Sequence, residues 1–308
     1  MCDLPFLASR SIARPRISAL GAAFAACVLV LGLLAATAQA GTTSVWRVTA
    51  PSGATVFLAG SIHLLPADYG ALPKAFDEAF AASETVVFEA DIDPNAIIAE
   101  AQRLLSMGMY SGDRSLFDAL DEATARALRA TAEELGMPAS VMGRLKPWFA
   151  GVTITGLALR DAGFDAESGV DMRLQRRAVA ADKTIITLET VEEQLRLLAD
   201  LDEATQVAFL EQAIAERNTI RDMADQLVAA WESGRAESLN ALVNEQLRAE
   251  PELAERLLYA RNEQWFAELE RLAEDGATVM VVVGAGHLVG TRGLVQLFAD
   301  DGYRVKQL

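Results

Sequence analysis

The sequence predicts an α/β fold: a central, largely parallel sheet with an opening β-hairpin, flanking helices and a mostly helical insertion at about 94–180. Three observations carry this. Short runs with strand character alternate with long segments of helical periodicity. The most apolar run, Val279-Met280-Val281-Val282-Val283, is bounded by turn signals. The phrase Gly-x-x-His-Leu also follows a strand-like run twice, at Gly60–Leu64 and at Gly284–Leu288.

Taken in order, Val45-Trp46-Arg47-Val48-Thr49 alternates like a strand, Pro51-Ser52-Gly53-Ala54 is a turn, and Val56–Ala59 is the returning strand of a hairpin. Pro73 starts a helix whose apolar residues Leu72, Phe76, Ala79 and Phe80 recur at helical spacing. Thr85-Val86-Val87-Phe88 is a buried strand ending in Glu89. From Pro94 to Val179 the chain is rich in Ala, Leu and charge, with breaks at Gly112, Gly136-Met137-Pro138, Pro147 and Gly163, which predicts helices. Thr184-Ile185-Ile186-Thr187-Leu188 is a strand ending in Glu189. Two or three long helices are expected over 191–274, then the strand 279–283, a helix around Leu294, Leu297 and Phe298, and a last strand at Tyr303–Lys306.

The first forty residues read as a signal peptide. Arg10, Arg14 and Arg16 precede an apolar run from Ile17 to about Ala36, and Ala38-Gln39-Ala40 supplies a cleavage site. This divides the chain into a signal peptide, 1–40, and a domain, 41–308, and implies export, with the periplasm as destination. Left uncleaved, the run is long enough to anchor the protein in the inner membrane, since about 20 apolar residues span a bilayer. The mature chain itself is expected to have no membrane span. Both cysteines, Cys2 and Cys27, belong to the leader, so the mature protein has neither a disulfide framework nor a thiolate metal site. A net charge of −16 argues against a nucleic-acid partner, because phosphates need Lys and Arg to neutralise them.

The chain has only two histidines, His63 and His287, and the two repeated phrases hold both. Histidine suits proton transfer near neutral pH and metal ligation. In an open α/β sheet, ligands bind beyond the carboxyl ends of the strands. Four strands here end in or just before His63, Glu89, Glu189 and His287, so parallel pairing would bring these residues to one edge. On the helix before the second motif, Leu258, Asn262, Trp265, Leu269 and Leu272 form an inward face, and Arg261 lies beside it. A buried Arg needs a carboxylate or an anionic substrate group to pair with; otherwise Arg261 sits at the helix edge and reaches solvent. No nucleophile elbow, P-loop or dinucleotide fingerprint is present in the right context.

These residues together resemble the TraB/GumN family, related to the Tiki proteins. The resemblance rests on the paired Gly-x-x-His motifs, the strand ending in Glu89, Leu188-Glu189-Thr190 before Gln194, Arg261-Asn262 with Trp265, and Val283-Gly284-Ala285-Gly286-His287-Leu288-Val289-Gly290. Lys146-Pro147-Trp148 and Gly169-Val170-Asp171 also match family positions. The resemblance implies a fold similar to the erythromycin-esterase and ChaN-like proteins. From the Tiki relatives it implies metal-dependent peptidase activity, with His63, Glu89, His287 and Arg261 at the site.

Three readings follow. In the leading one the protein is a metal-dependent, peptidase-like hydrolase of the cell envelope that acts on a peptide or small-molecule substrate. His63, Glu89 and His287 would hold a divalent cation (zinc, manganese or cobalt), Glu189 would take a proton, and Arg261 would stabilise an oxyanion. In the second, a metal-independent esterase-like hydrolase, one His held by a Glu activates water directly. In the third, the crevice binds a peptide, a metal complex or haem without turnover.

Overall fold

A computed structural model describes residues 42–308 apart from 248–250 and 275, so the expected signal peptide lies outside the described residues. A six-stranded sheet forms the centre: β1 (Val45–Thr49), β2 (Thr55–Ser61), β4 (Thr85–Phe88), β6 (Thr184–Thr187), β7 (Val279–Gly284) and β8 (Arg304–Gln307), in the order β6-β4-β7-β2-β1-β8. A two-residue strand, β3 (Leu65–Pro66), pairs separately with β5 (Phe164–Asp165). β1 and β2 make the expected antiparallel hairpin, with Val45 opposite Ala59 and Thr49 opposite Thr55. β2, β7, β4 and β6 are parallel neighbours. β7 is buried along Val279–Val283, as a strand covered on both faces must be, and its composition is accordingly continuous Val and Met rather than alternating.

The helices are α1 (Lys74–Ala82), α2 (Pro94–Gly108), α3 (Glu122–Glu134), α4 (Ala139–Met142), α5 (Pro147–Asp161), α6 (Val170–Ala180), α7 (Val191–Ala199), α8 (Glu203–Glu216), α9 (Ile220–Glu232), α10 (Ala236–Leu247), α11 (Pro251–Ala254), α12 (Ala260–Glu274), α13 (Ala285–Leu288) and α14 (Leu294–Asp300). α1 begins one residue after Pro73, whose fixed φ suits a helix start. The stretch 191–274 holds more and shorter helices than the periodicity predicts. The cause is local: Thr190 and Glu193 form a capping box that starts α7, and the Asp202 side chain caps α8. Among the described residues, no helix is long and apolar enough to cross a membrane.

The apolar residues sort into two cores. The larger one packs the sheet against α1, α9, α12 and α14, with Phe76, Trp231, Trp265 and Phe298 fully buried. The smaller one lies in the helical segment, where Leu116, Leu128, Met142 and Ile154 meet Leu210 and Ile214 of α8. α6 belongs to the larger core through Val170, Leu174 and Ala178. The chain thus returns to the sheet before residue 180, and α6 is placed beside the strand ends.

Candidate functional site

Parallel register aligns the strand ends. Ser61 of β2 lies opposite Gly284 of β7, and Phe88 of β4 lies opposite both Val282 and Thr187. Past the last rungs, the backbone of Leu188 and Glu189 still donates to Phe88 and Glu89, at 3.0 and 2.8 Å. Glu189, Glu89, His287 and His63 therefore emerge from four neighbouring strands at one edge, as the strand order requires. α12 supplies Arg261 from above that edge, and a π-helical turn, Glu255–Tyr259, leads into it.

The site has two layers. The outer one is a small cleft with space for about one water, lined in part by Ser61, His63, Glu89, Asp171 and Gln194. His63 keeps 60 % of its side-chain surface open, and its Nδ1 lies 2.5 Å from Asp171 Oδ2. Asp171 comes from the first turn of α6, which is docked on the His63 segment: the Val170 amide donates to the Ile62 carbonyl at 3.0 Å. A Cβ on Gly169 would fall 2.2 Å from the His63 carbonyl oxygen, so only glycine permits this approach. The surrounding protein removes part of the imidazole's hydration, which opposes its charge. The Asp171 charge and hydrogen bond outweigh that, with help from Glu89, and raise the His63 pKa from 6.5 to about 9. His63 is thus an imidazolium at neutral pH, with Nδ1 committed to Asp171. Ser61 Oγ and Asp171 Oδ1 are buried and have no hydrogen-bond partner within the protein.

The inner layer is built around Arg261, whose side chain is 11 % exposed. Its Nε donates to Glu189 Oε1 at 2.9 Å and its Nη2 to Glu189 Oε2 at 3.0 Å. Nη2 also donates to Glu89 Oε2 at 3.2 Å, and Nη1 to the Leu257 carbonyl at 2.8 Å. Nη1 further lies 3.0 Å from His287 Nε2. A guanidinium has five N–H donors, and here all five have acceptors. The guanidinium also stacks over Trp265, at 4.5 Å from the ring centre.

His287 is buried against the same tryptophan, ring centres 4.5 Å apart. Its Nδ1 lies 2.6 Å from Asn262 Oδ1, and Asn262 Nδ2 donates to the Arg292 carbonyl at 2.8 Å. That second bond orients the Asn262 amide, so Nδ1 of His287 carries the proton and Nε2 accepts from Arg261. Burial, reinforced by the nearby positive groups, lowers the His287 pKa from 6.5 to about 4 and keeps the ring neutral.

Glu89 joins the layers. Its Oε1 accepts from the Gly284 amide at 2.5 Å, and its Oε2 accepts from Gln194 Nε2 at 2.9 Å and from Arg261. Burial alone would raise its pKa. The His63 imidazolium, Arg261 and the Gly284 amide outweigh burial and hold the carboxyl below the usual carboxylate range. A Cβ on Gly284 would come within 3.2 Å of Glu89 Oε1, which accounts for the second motif's glycine by close approach. Its φ of −49° is an ordinary one, and among the described residues neither Gly60 nor Gly284 has a positive φ.

The structure thus gathers all five expected residues, but the bonds they make reassign three of them. Glu189 is held on both oxygens by Arg261 and is not poised as a base. Arg261 has no donor left for an oxyanion. His287 has both nitrogens engaged. The expected cation on His63, Glu89 and His287 therefore does not fit this arrangement, because the Arg261 guanidinium occupies the lone pair that His287 would offer. Among the described residues no group of three or more His, Cys, Asp or Glu is placed to hold a metal ion. Asp91, next to the site in sequence, instead ties its loop to Gln175 at 2.5 Å.

Sequence reasoning missed Asp171 as the partner of His63, and Ser61 as part of the cleft. The only signal for Asp171 was its place in Gly169-Val170-Asp171. Asn262 was visible as a polar break in an apolar helix face.

A family model described as the TraB/PrgY/gumN family matches residues 44–307. No curated protein and no solved structure matches the chain.

Proposed function

Because the chain belongs to the TraB/PrgY/gumN family and offers a cleft-facing histidine held by a buried carboxylate, we propose that it is a peptidase-like hydrolase of the cell envelope, exported to the periplasm, whose working groups are His63 and Glu89. The observation that carries this is the His63–Asp171 pair. Its orienting bond at Nδ1 leaves Nε2 as the atom open to the cleft. The same cleft presents a carboxylate, Glu89, and two polar atoms without partners, Ser61 Oγ and Asp171 Oδ1.

In this reading His63, protonated at neutral pH, donates its Nε2 proton to the leaving group of the scissile bond. Glu89 has about four lone-pair positions, and Gly284, Gln194 and Arg261 take three. The remaining one accepts a proton from the attacking water. Asp171 holds the imidazole in position throughout, and Ser61 supplies a hydroxyl to orient water or substrate. Arg261 and the Gly284 amide keep Glu89 ionised from behind, and Glu189 and His287 fix the guanidinium that does so. With both His287 nitrogens engaged, the donor set in this arrangement does not fit a metal, and the proton transfers run between His63, Glu89 and water.

The test is cleavage of a mixed peptide library by the purified full-length protein, read by mass spectrometry, with and without a strong chelator. Turnover that survives chelation and falls by about 10²-fold or more in His63→Ala and Glu89→Gln is expected. No turnover under any condition would overturn the hydrolase reading. Turnover lost on chelation and restored by zinc, manganese or cobalt would overturn the metal-free form and return His63 and Glu89 to ligand roles.

A further inference from the structure

A second cavity, of about 360 Å³, lies in the helical segment and shares no residue with the sheet-edge cleft. This volume falls within the range of small-molecule sites. Its charged lining is Arg114, Arg129 and Arg144 against Asp113, an unusual concentration of positive charge in a chain of net charge −16. Glu203 compensates Arg114 and Asp113 offsets part of the rest, so the positive charge that remains, on Arg129 and Arg144, favours an anion between them.

Each arginine is held in place by something other than a ligand. Arg144 donates through Nη1 to the Gly112 carbonyl at 2.7 Å and through Nη2 to the Tyr110 carbonyl at 3.2 Å. Arg129 lies over Phe117, its Cζ 3.6 Å from the ring centre. Arg114 stacks on Tyr110 at 4.7 Å and pairs with Glu203 at 2.5 Å. Among the described residues, neither Arg129 nor Arg144 has a carboxylate partner. Two carbonyls fix the Arg144 guanidinium and a ring face holds that of Arg129, and these neutral anchors leave both without a carboxylate partner. Such fixed, planar, forked donors match the oxygens of phosphate groups. Ser115 and Ser140 also line the cavity and add hydroxyls.

We propose that this cavity binds a small, soluble phosphate-bearing molecule with at least two negative charges, a phosphate ester or diphosphate. A single carboxylate would satisfy only one of the two uncompensated guanidiniums. The site is independent of the proposed hydrolase, so either can fail alone.

The experiment titrates pyrophosphate into the full-length protein by calorimetry, with acetate at matched ionic strength as control. The variants are Arg129→Gln and Arg144→Gln, and their melting temperatures without ligand are measured to show that they fold. Saturable binding to wild type, weakened about tenfold or more in each folded variant and absent with acetate, is expected. Arg129→Gln removes only a surface guanidinium, so it keeps the test informative if Arg144→Gln does not fold. Heat exchange equal to that of acetate, or binding unchanged in Arg129→Gln, overturns the proposal. Co-sedimentation with phosphatidylglycerol vesicles without any response to pyrophosphate also overturns it, since the phosphate would then be a lipid headgroup.

Discussion

The Arg261 guanidinium lies 3.0 Å from His287 Nε2, so the second motif's histidine faces a permanent cation rather than an open cleft. Its other nitrogen is committed to Asn262. The two histidines of the repeated phrase therefore do different work. His63 is an exposed, protonated group held by Asp171, and His287 is a buried, neutral group held by Asn262 and Arg261.

With only two imidazoles in the chain, NMR titration separates them directly. One resonance should titrate at about 9 and the other at about 4. Asp171→Asn should return the first toward 6.5 and leave the second in place. Two coincident titrations near 6.5 would show that neither environment is as described.

The same shifts give stability a pH dependence of known sign. His63 has a raised folded-state pKa, so its contribution is complete below 6.5 and is lost as pH rises through about 9. His287 has a depressed one. Its unfolded form takes up a proton first, so stability falls as pH drops from 6.5 toward about 4, by on the order of 3 kcal/mol. Urea unfolding at intervals across both windows should show a loss in each. His287→Gln should flatten the acidic window alone.

Arg261 neutralises two carboxylates that are themselves 11 and 9 % exposed. Arg261→Met should destabilise the fold by about 3–5 kcal/mol, because it leaves buried charges without a partner. Adding Glu189→Gln should recover part of that loss. A surface-like cost below about 1 kcal/mol, measured by urea unfolding, would contradict the central role assigned to this residue.

Gly169→Ala should disrupt the approach of α6 to the His63 segment, because the added carbon would collide with the His63 carbonyl. A cost of about 1–3 kcal/mol is expected. The His63 titration should also move down from about 9 as Asp171 is displaced. Thermal unfolding and the NMR titration read the two effects separately.

Asn262→Leu should abolish the fixed tautomer of His287 without touching the outer cleft. The imidazole Nδ1 would then lack its acceptor in a buried place, at a cost of about 1–3 kcal/mol. ¹⁵N chemical shifts of the ring should change from a single tautomer to a mixture.

Much of this was legible in the residues. Continuous apolar runs marked parallel, doubly covered strands, and the residues ending those runs marked one edge of the sheet, because strand geometry fixes where a strand end points. The polar break at Asn262 and the neighbouring Arg261 marked either a buried ion pair or an arginine at the helix edge, and the Glu189 and Glu89 contacts decide for the first. The partners themselves were not legible. Asp171 meets His63 across 108 residues through a helix that returns to the sheet, and local periodicity carries no record of that docking. Nor does sequence count hydrogen bonds. Whether Arg261 is free to hold an oxyanion, or His287 to hold a metal, depends on how many acceptors crowd each nitrogen. The sequence by itself determined that His63, Glu89, Glu189 and His287 meet at the sheet edge if their strands run parallel. Only the tertiary structure decided which of their atoms remain unspent, because hydrogen-bonding capacity is used up by neighbours in space and not by neighbours along the chain.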